Sequence, residues 1–188
     1  IYKYNKAFSN LNSISKLLII GDSFARDWAN ILIESKYSNE FEIYYSDSFT
    51  VDKNIINNSD IIFITNPYSF RNYPTVDLIK NKNFYVIGMK SFGINNGIFY
   101  NYKGDDYYSQ KTLMEDFSFK IYSNEKPEYG NRYIDLMGCI IDDNNLVPVF
   151  TPDKKFISHD TRHLTQSGAQ YFSVILDDRI SFILKESY

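Results

Sequence analysis

Two short stretches of this chain hold the side chains best suited to covalent chemistry. The first is LLIIGDSFARDW (17–28), in which an apolar run ends at Gly21-Asp22 and Ser23 opens a segment of helical spacing. A serine at a strand–turn–helix junction exposes its hydroxyl, and its N–H sits at the positive end of the helix, which suits both a nucleophile and an oxyanion donor. The same residues also fit a plain helix cap after a Gly-Asp turn. The Gly-x-Ser-x-Gly elbow is excluded, because position 25 is Ala. The second stretch is SHDTRHLTQSGAQYF (158–172), with Asp160 and His163 three apart before another helical segment. On a turn at that spacing, a carboxylate can fix an imidazole tautomer and stabilise the imidazolium formed on proton transfer. The alternative is a capping arrangement, with Thr165 starting the helix and His163 on the surface.

The chain has 2 histidines, so any imidazole mechanism must use His159 or His163. A metal site from His159, Asp160 and His163 would be crowded and would lack a third nitrogen ligand, so none is expected. The single cysteine, Cys139, rules out an internal disulfide and a Cys-based zinc site, and is expected to be a small core residue. Asp142-Asp143 fits a solvated turn. The Tyr-rich segment Phe99–Gln110 is either a sugar-stacking rim, with Tyr107 and Tyr108 as candidate substrate contacts, or an inserted loop of half-buried rings.

Several elements must carry these groups. Apolar runs predict strands at Lys16–Ile20, Phe41–Tyr45, Asp60–Thr65, Phe84–Gly88 and Arg132–Leu136. Helical spacing predicts helices at Phe24–Ser35, with Trp28, Ile31 and Leu32 inward, at Val76–Lys80, at Ser109–Tyr122 through Leu113, Phe117 and Ile121, and at Thr165–Leu184. Strands apolar on both faces, alternating with helices, imply a single three-layer α/β/α domain (residues 1–188) around a mostly parallel sheet of about five strands. Functional groups in such folds gather at the strands' carboxyl ends, where Ser23 and Asn66 both fall.

At 188 residues the chain is long enough for a full core, and 44% hydrophobic against 23% charged residues exclude bulk disorder. A net charge of −3 argues against nucleic acid as a partner, since that binding needs a basic face. No apolar run reaches the ~18 residues of a membrane span. The chain begins at Ile1 without a basic-then-apolar leader, so it reads as a fragment that a membrane module could precede.

Together the two stretches resemble the end blocks of the SGNH (GDSL-type) hydrolase and acyltransferase superfamily. Gly21-Asp22-Ser23-Phe24 matches the first block. Asp160-Thr161-Arg162-His163-Leu164, with Gly168-Ala169 following, matches the last. The middle blocks depart from the pattern. Tyr45–Val51 has no glycine, leaving Ser46 or Ser48 as substitutes, and Thr65-Asn66-Pro67 keeps only the asparagine. The resemblance implies a flavodoxin-like fold and a triad of Ser23, His163 and Asp160. It makes Asn66 a candidate oxyanion donor, although Asn66 also fits a turn before proline, and Asn95 and Asn96 are rivals.

The stretch from Arg132 to Thr165 is similar to SGNH domains of bacterial polysaccharide O-acyltransferases. It implies an O-acetyltransferase with a polysaccharide or oligosaccharide acceptor, no bound cofactor, and an acetyl donor such as acetyl-CoA as co-substrate. A carbohydrate acetylesterase and a non-catalytic glycan-binding or scaffolding domain are the alternatives. The single cysteine and the missing leader incline the expected compartment toward the bacterial cytoplasm rather than the periplasm.

Overall fold

The computed structural model describes residues 7–9, 14–48, 50–65, 76–94, 104 and 106–186. Five strands form one sheet: β1 (Ser15–Ile20), β2 (Phe41–Ser46), β3 (Ile61–Thr65), β4 (Phe84–Ile87) and, after the short β5 (Lys111–Leu113), β6 (Tyr133–Ile134). Their order is β2-β1-β3-β4-β6 and every pairing is parallel. The chain leaves β1 for one side of the sheet and returns to its other side as β3. The carboxyl ends of β1 and β3 therefore form the point where strand order reverses, and ligand crevices open there in doubly wound sheets.

Alternation along the strands sorts the core into two layers. Leu17 and Ile19 of β1 pack with Trp28, Ile31 and Leu32 of α1 (Ser23–Glu34), and with Phe172, Ile180 and Leu184. Leu18 and Ile20 face the other way, onto Ile56 of α2 (Lys53–Asn57) and Val76 and Ile79 of α3 (Val76–Lys80). Helices on both faces make this a three-layer α/β/α sandwich, as the sequence implied.

Three expected elements differ. The segment foreseen as a helix at Ser109–Tyr122 starts instead as β5, which pairs antiparallel with β7 (Leu146–Pro148); helix α4 begins only at Asp116 and runs to Tyr129. The four-residue apolar spacing there misled, since Leu113 and Phe117 are 42% and 67% exposed. The long C-terminal helix divides at Leu176 into α5 (Gln166–Ile175) and α6 (Asp177–Lys185). Leu176 stays in the core, whereas Asp177 and Asp178 open the new helix, where acidic groups are stabilised, and Asp177 reaches Lys36 at 2.7 Å. The strand expected at Arg132–Leu136 shrinks to two residues, because Asp135 accepts from the Gly138 N–H and opens a 3-10 turn, Met137–Cys139. That turn buries Met137 and leaves Cys139 exposed, which corrects its expected core position.

Candidate active site

Ser23 is the first residue of α1, immediately beyond β1. Gly21 has φ 141°, and a Cβ on it would lie 1.8 Å from Thr65 Oγ1, so only glycine permits this close passage past the end of β3. The turn is fastened from both neighbouring strands. The Tyr45 hydroxyl of β2 lies 3.2 Å from the carbonyls of Gly21 and Asp22, and Thr65 Oγ1 lies 3.4 Å from Asp22 Oδ1. Asp22 caps the helix, its carboxylate accepting from the Phe24 N–H at 2.9 Å. The half-buried Ser23 is thus held at the positive end of a capped helix.

Asp160 and His163 come together as their spacing suggested. One carboxylate oxygen of Asp160 accepts from the backbone N–H of Arg162 at 3.0 Å and of His163 at 2.7 Å. The other lies 2.5 Å from His163 Nδ1. This contact favours the tautomer with the proton on Nδ1, which leaves Nε2 as the base. Burial pushes the Asp160 carboxyl up, but hydrogen bonds from the His163 ring and from the backbones of His163 and Arg162 outweigh it. The group is held well below the usual carboxylate range and stays ionised at neutral pH. Thr161, between them, is left-handed at φ 70°, and its carbonyl accepts from the Phe92 N–H at 2.8 Å.

A buried ion pair joins these two halves. Asp27 lies one turn beyond Ser23 on α1 and is 2% exposed; its carboxylate pairs with the ammonium of Lys90, which is 1% exposed. The same oxygen accepts from the backbone N–H of Leu164 at 2.8 Å, the residue directly after His163. Burial pushes the Lys90 ammonium down to about 8, against the pull of Asp27. The ammonium also lies 4.5 Å from the Phe24 ring centre, under the residue next to Ser23. One carboxylate therefore ties the serine's helix, the segment after β4 and the histidine turn together. The sequence reading missed both residues; the available signal was an aspartate beside Trp28 on the buried face of α1.

Beside Ser23 opens a cavity of about 290 Å³, bounded by its two chain neighbours Asp22 and Phe24, by Thr65, and by Ile121 and Glu125 of α4. Glu125 is 5% exposed. Burial pushes its carboxyl up to about 7, and repulsion from Glu128 adds to this, while Tyr133 and the Met89 backbone oppose it. Glu125 also escaped the sequence reading, since nothing in the pattern marks it as the inward face of α4.

The remaining candidates lie elsewhere. Asn66, Asn95 and Asn96 fall outside the described residues, as do 99–103 and 105 of the Tyr-rich segment. Tyr107 and Tyr108 stack edge to face at 5.0 Å on Phe150, at 5.2 and 5.3 Å. The ring contacts continue through Phe156 to His159 (4.5 and 5.6 Å), the residue before Asp160. Tyr108 is 46% exposed, with the Lys154 ammonium 5.1 Å over its ring. Ser46 donates to the Ser48 carbonyl at 2.8 Å, and the Ser48 hydroxyl accepts from the Thr50 N–H at 3.1 Å, so both serve their own turn.

No protein-family model and no curated protein matches the chain. Among solved structures the chain is similar to the periplasmic domain of the lipopolysaccharide acetyltransferase of Salmonella ser. Paratyphi A, with a TM-score of 0.61 and 14% identity over 91% of this chain and 85% of that one. At that identity the likeness is one of fold. Among the described residues no helix is long and apolar enough to cross a membrane.

Two outcomes are expected from the buried charges. Asp27→Ala leaves Lys90 unpaired in the core and should cost about 3–5 kcal/mol. Pairing Asp27→Leu with Lys90→Met should recover much of the loss of Asp27→Leu alone; urea midpoints check both, and simple additivity would contradict the pairing. Glu125 holds its proton more tightly folded than unfolded, so its stabilising effect is full below pH 4.5 and is lost as pH rises to about 7. Glu125→Gln should remove this slope, worth roughly 3 kcal/mol, in denaturation curves compared at pH 5 and pH 8.

Proposed function

We propose that the protein is a serine-dependent O-acyltransferase that moves an acetyl-type group onto a hydroxyl of a bacterial polysaccharide or oligosaccharide. The observation that carries this reading is the Asp160–His163 pair, tied through Leu164 and Asp27 to the helix that Ser23 opens. The shared fold with the periplasmic domain of a lipopolysaccharide acetyltransferase supports a saccharide acceptor and an acetyl group.

In the proposed reaction Ser23 Oγ attacks the acyl carbonyl of the donor while His163 Nε2 takes the serine proton. Ionised Asp160 stabilises the imidazolium. The oxyanion forms at the amino end of α1, where the Ser23 N–H is one donor and Asn66 is the proposed second. Collapse breaks the bond to the donor's leaving group, which receives the proton from His163, and leaves an ester on Ser23. A sugar hydroxyl then gives its proton to Nε2 and attacks that ester, and Ser23 recovers the proton. No bound cofactor enters; the acyl donor, an acetyl thioester such as acetyl-CoA, is a co-substrate. Water in place of the sugar would give the acetylesterase reaction. Tyr107 and Tyr108 are the proposed rim for the acceptor, because aromatic faces suit the C–H surfaces of sugars.

A fluorophosphonate probe should label Ser23. Ser23→Ala and His163→Ala should each lower turnover of p-nitrophenyl acetate by ~10³–10⁶, while His159→Ala stays within a few-fold. Substantial turnover by folded Ser23→Ala would end this mechanism, and a wild type that neither turns over the ester nor takes the probe would favour the non-catalytic, glycan-binding alternative. With an acceptor polysaccharide present, acetyl should appear on the sugar by mass spectrometry. Tyr108→Ala should reduce this transfer more than hydrolysis, and an unchanged ratio would remove that rim from the acceptor site.

A further inference from the structure

Resting on the serine-dependent acyl transfer proposed above, we infer that the cavity beside Ser23 is an acyl-chain pocket that takes linear acyl groups longer than acetyl, of about four to six carbons. Its position supports this. Asp22 and Phe24, the residues on either side of Ser23, both line it, and it reaches back past Ile87 and Met89 to Ile121 and Glu125 of α4. An acyl group esterified to Ser23 is flanked on both sides of its attachment residue by the walls of this cavity.

The size also fits. Admitting one water takes about 10–15 Å³ of such space, and this cavity offers about 290 Å³. The single methyl of an acetyl group would leave most of it unfilled.

The lining chemistry selects a hydrocarbon over a sugar. Among its described polar groups, the carboxylates of Asp22 and Glu125 are already turned toward the protein. Asp22 Oδ1 is engaged by the Phe24 N–H and by the Thr65 hydroxyl. Glu125 lies against Tyr133, whose hydroxyl accepts from the Met89 N–H at 3.1 Å. Among the described lining residues the rest are Phe24, Ile87, Met89 and Ile121, with the Asn124 amide as the one further polar group. A saccharide carries a hydroxyl on almost every carbon and would lose hydrogen bonds there, whereas an alkyl chain loses none. The carboxyl of Glu125 is held toward its neutral form, so an apolar chain beside it does not desolvate a full charge.

The test uses p-nitrophenyl acetate, butyrate and hexanoate with the wild-type protein and two pocket variants from different segments, Ile121→Trp and Met89→Phe. In the wild type, kcat/KM should rise along the series, by roughly fourfold for each methylene buried. In either variant that keeps a wild-type-like thermal transition, the hexanoate-to-acetate ratio should fall at least tenfold. Labelling of Ser23 by fluorophosphonate combined with a preference for acetate would overturn the pocket alone. An unchanged ratio in both folded variants would overturn it too. If no ester reacts and the probe does not label Ser23, the serine reading falls and the pocket falls with it.

Discussion

The carboxylate of Asp27 is the constraint on which the site depends. It is buried, it neutralises a buried ammonium, and it holds the backbone N–H that follows His163. Such a pair is weak evidence for net stability, because desolvating two charges offsets much of their attraction. Its value lies in geometry. An apolar contact between α1 and the histidine turn would tolerate sliding, whereas a carboxylate shared between Lys90 and Leu164 accepts few arrangements. Three chain segments far apart in sequence therefore meet in one register. Charge specifies the site here, and the surrounding hydrophobic layers supply the stability.

That register matters because the groups proposed to react, Ser23 and His163, come from opposite ends of the chain. Ser23 is placed by the sheet: β1 ends at the point where strand order reverses, and Gly21 lets its turn pass within van der Waals reach of Thr65. His163 is placed by a turn outside the sheet, anchored below by Thr165, which caps α5, and by Gly168, where a Cβ would meet the Ile157 carbonyl at 2.2 Å. Neither anchor alone relates the serine to the imidazole. The link through Asp27 does, and it runs along the buried face of the same helix that Ser23 opens.

The sequence displayed the sheet and the end blocks because their signals are local. Leu17 to Ile20 and Ile61 to Ile64 are apolar at every position, as strands covered on both faces must be. Asp160 and His163 are close in sequence, so their meeting needs no long-range knowledge. Asp27, Lys90 and Glu125 were illegible for the opposite reason. Each is a charged residue in an amphipathic setting, and only tertiary packing decides that it turns inward. The misread Ser109–Tyr122 segment shows the same limit. Leu113 and Phe117 have the spacing of a helix face, yet β5 finds its partner at Leu146–Pro148, more than thirty residues away.

The turn between Asp160 and His163 shows how far the local geometry is imposed rather than preferred. Thr161 is β-branched, and a left-handed backbone at such a residue is unfavourable by ~1–3 kcal/mol unless its surroundings over-determine it. Here they do. Asp160 Oδ1 draws in the N–H groups of Arg162 and His163, while Phe92 fixes the Thr161 carbonyl from the segment that also carries Lys90. A relaxed backbone at Thr161 would swing the His163 N–H and ring off the carboxylate together. Asp160 thus acts twice, through one oxygen on the backbone and through the other on Nδ1. The strain at Thr161 is what lets a carboxylate only three residues away address both groups at once.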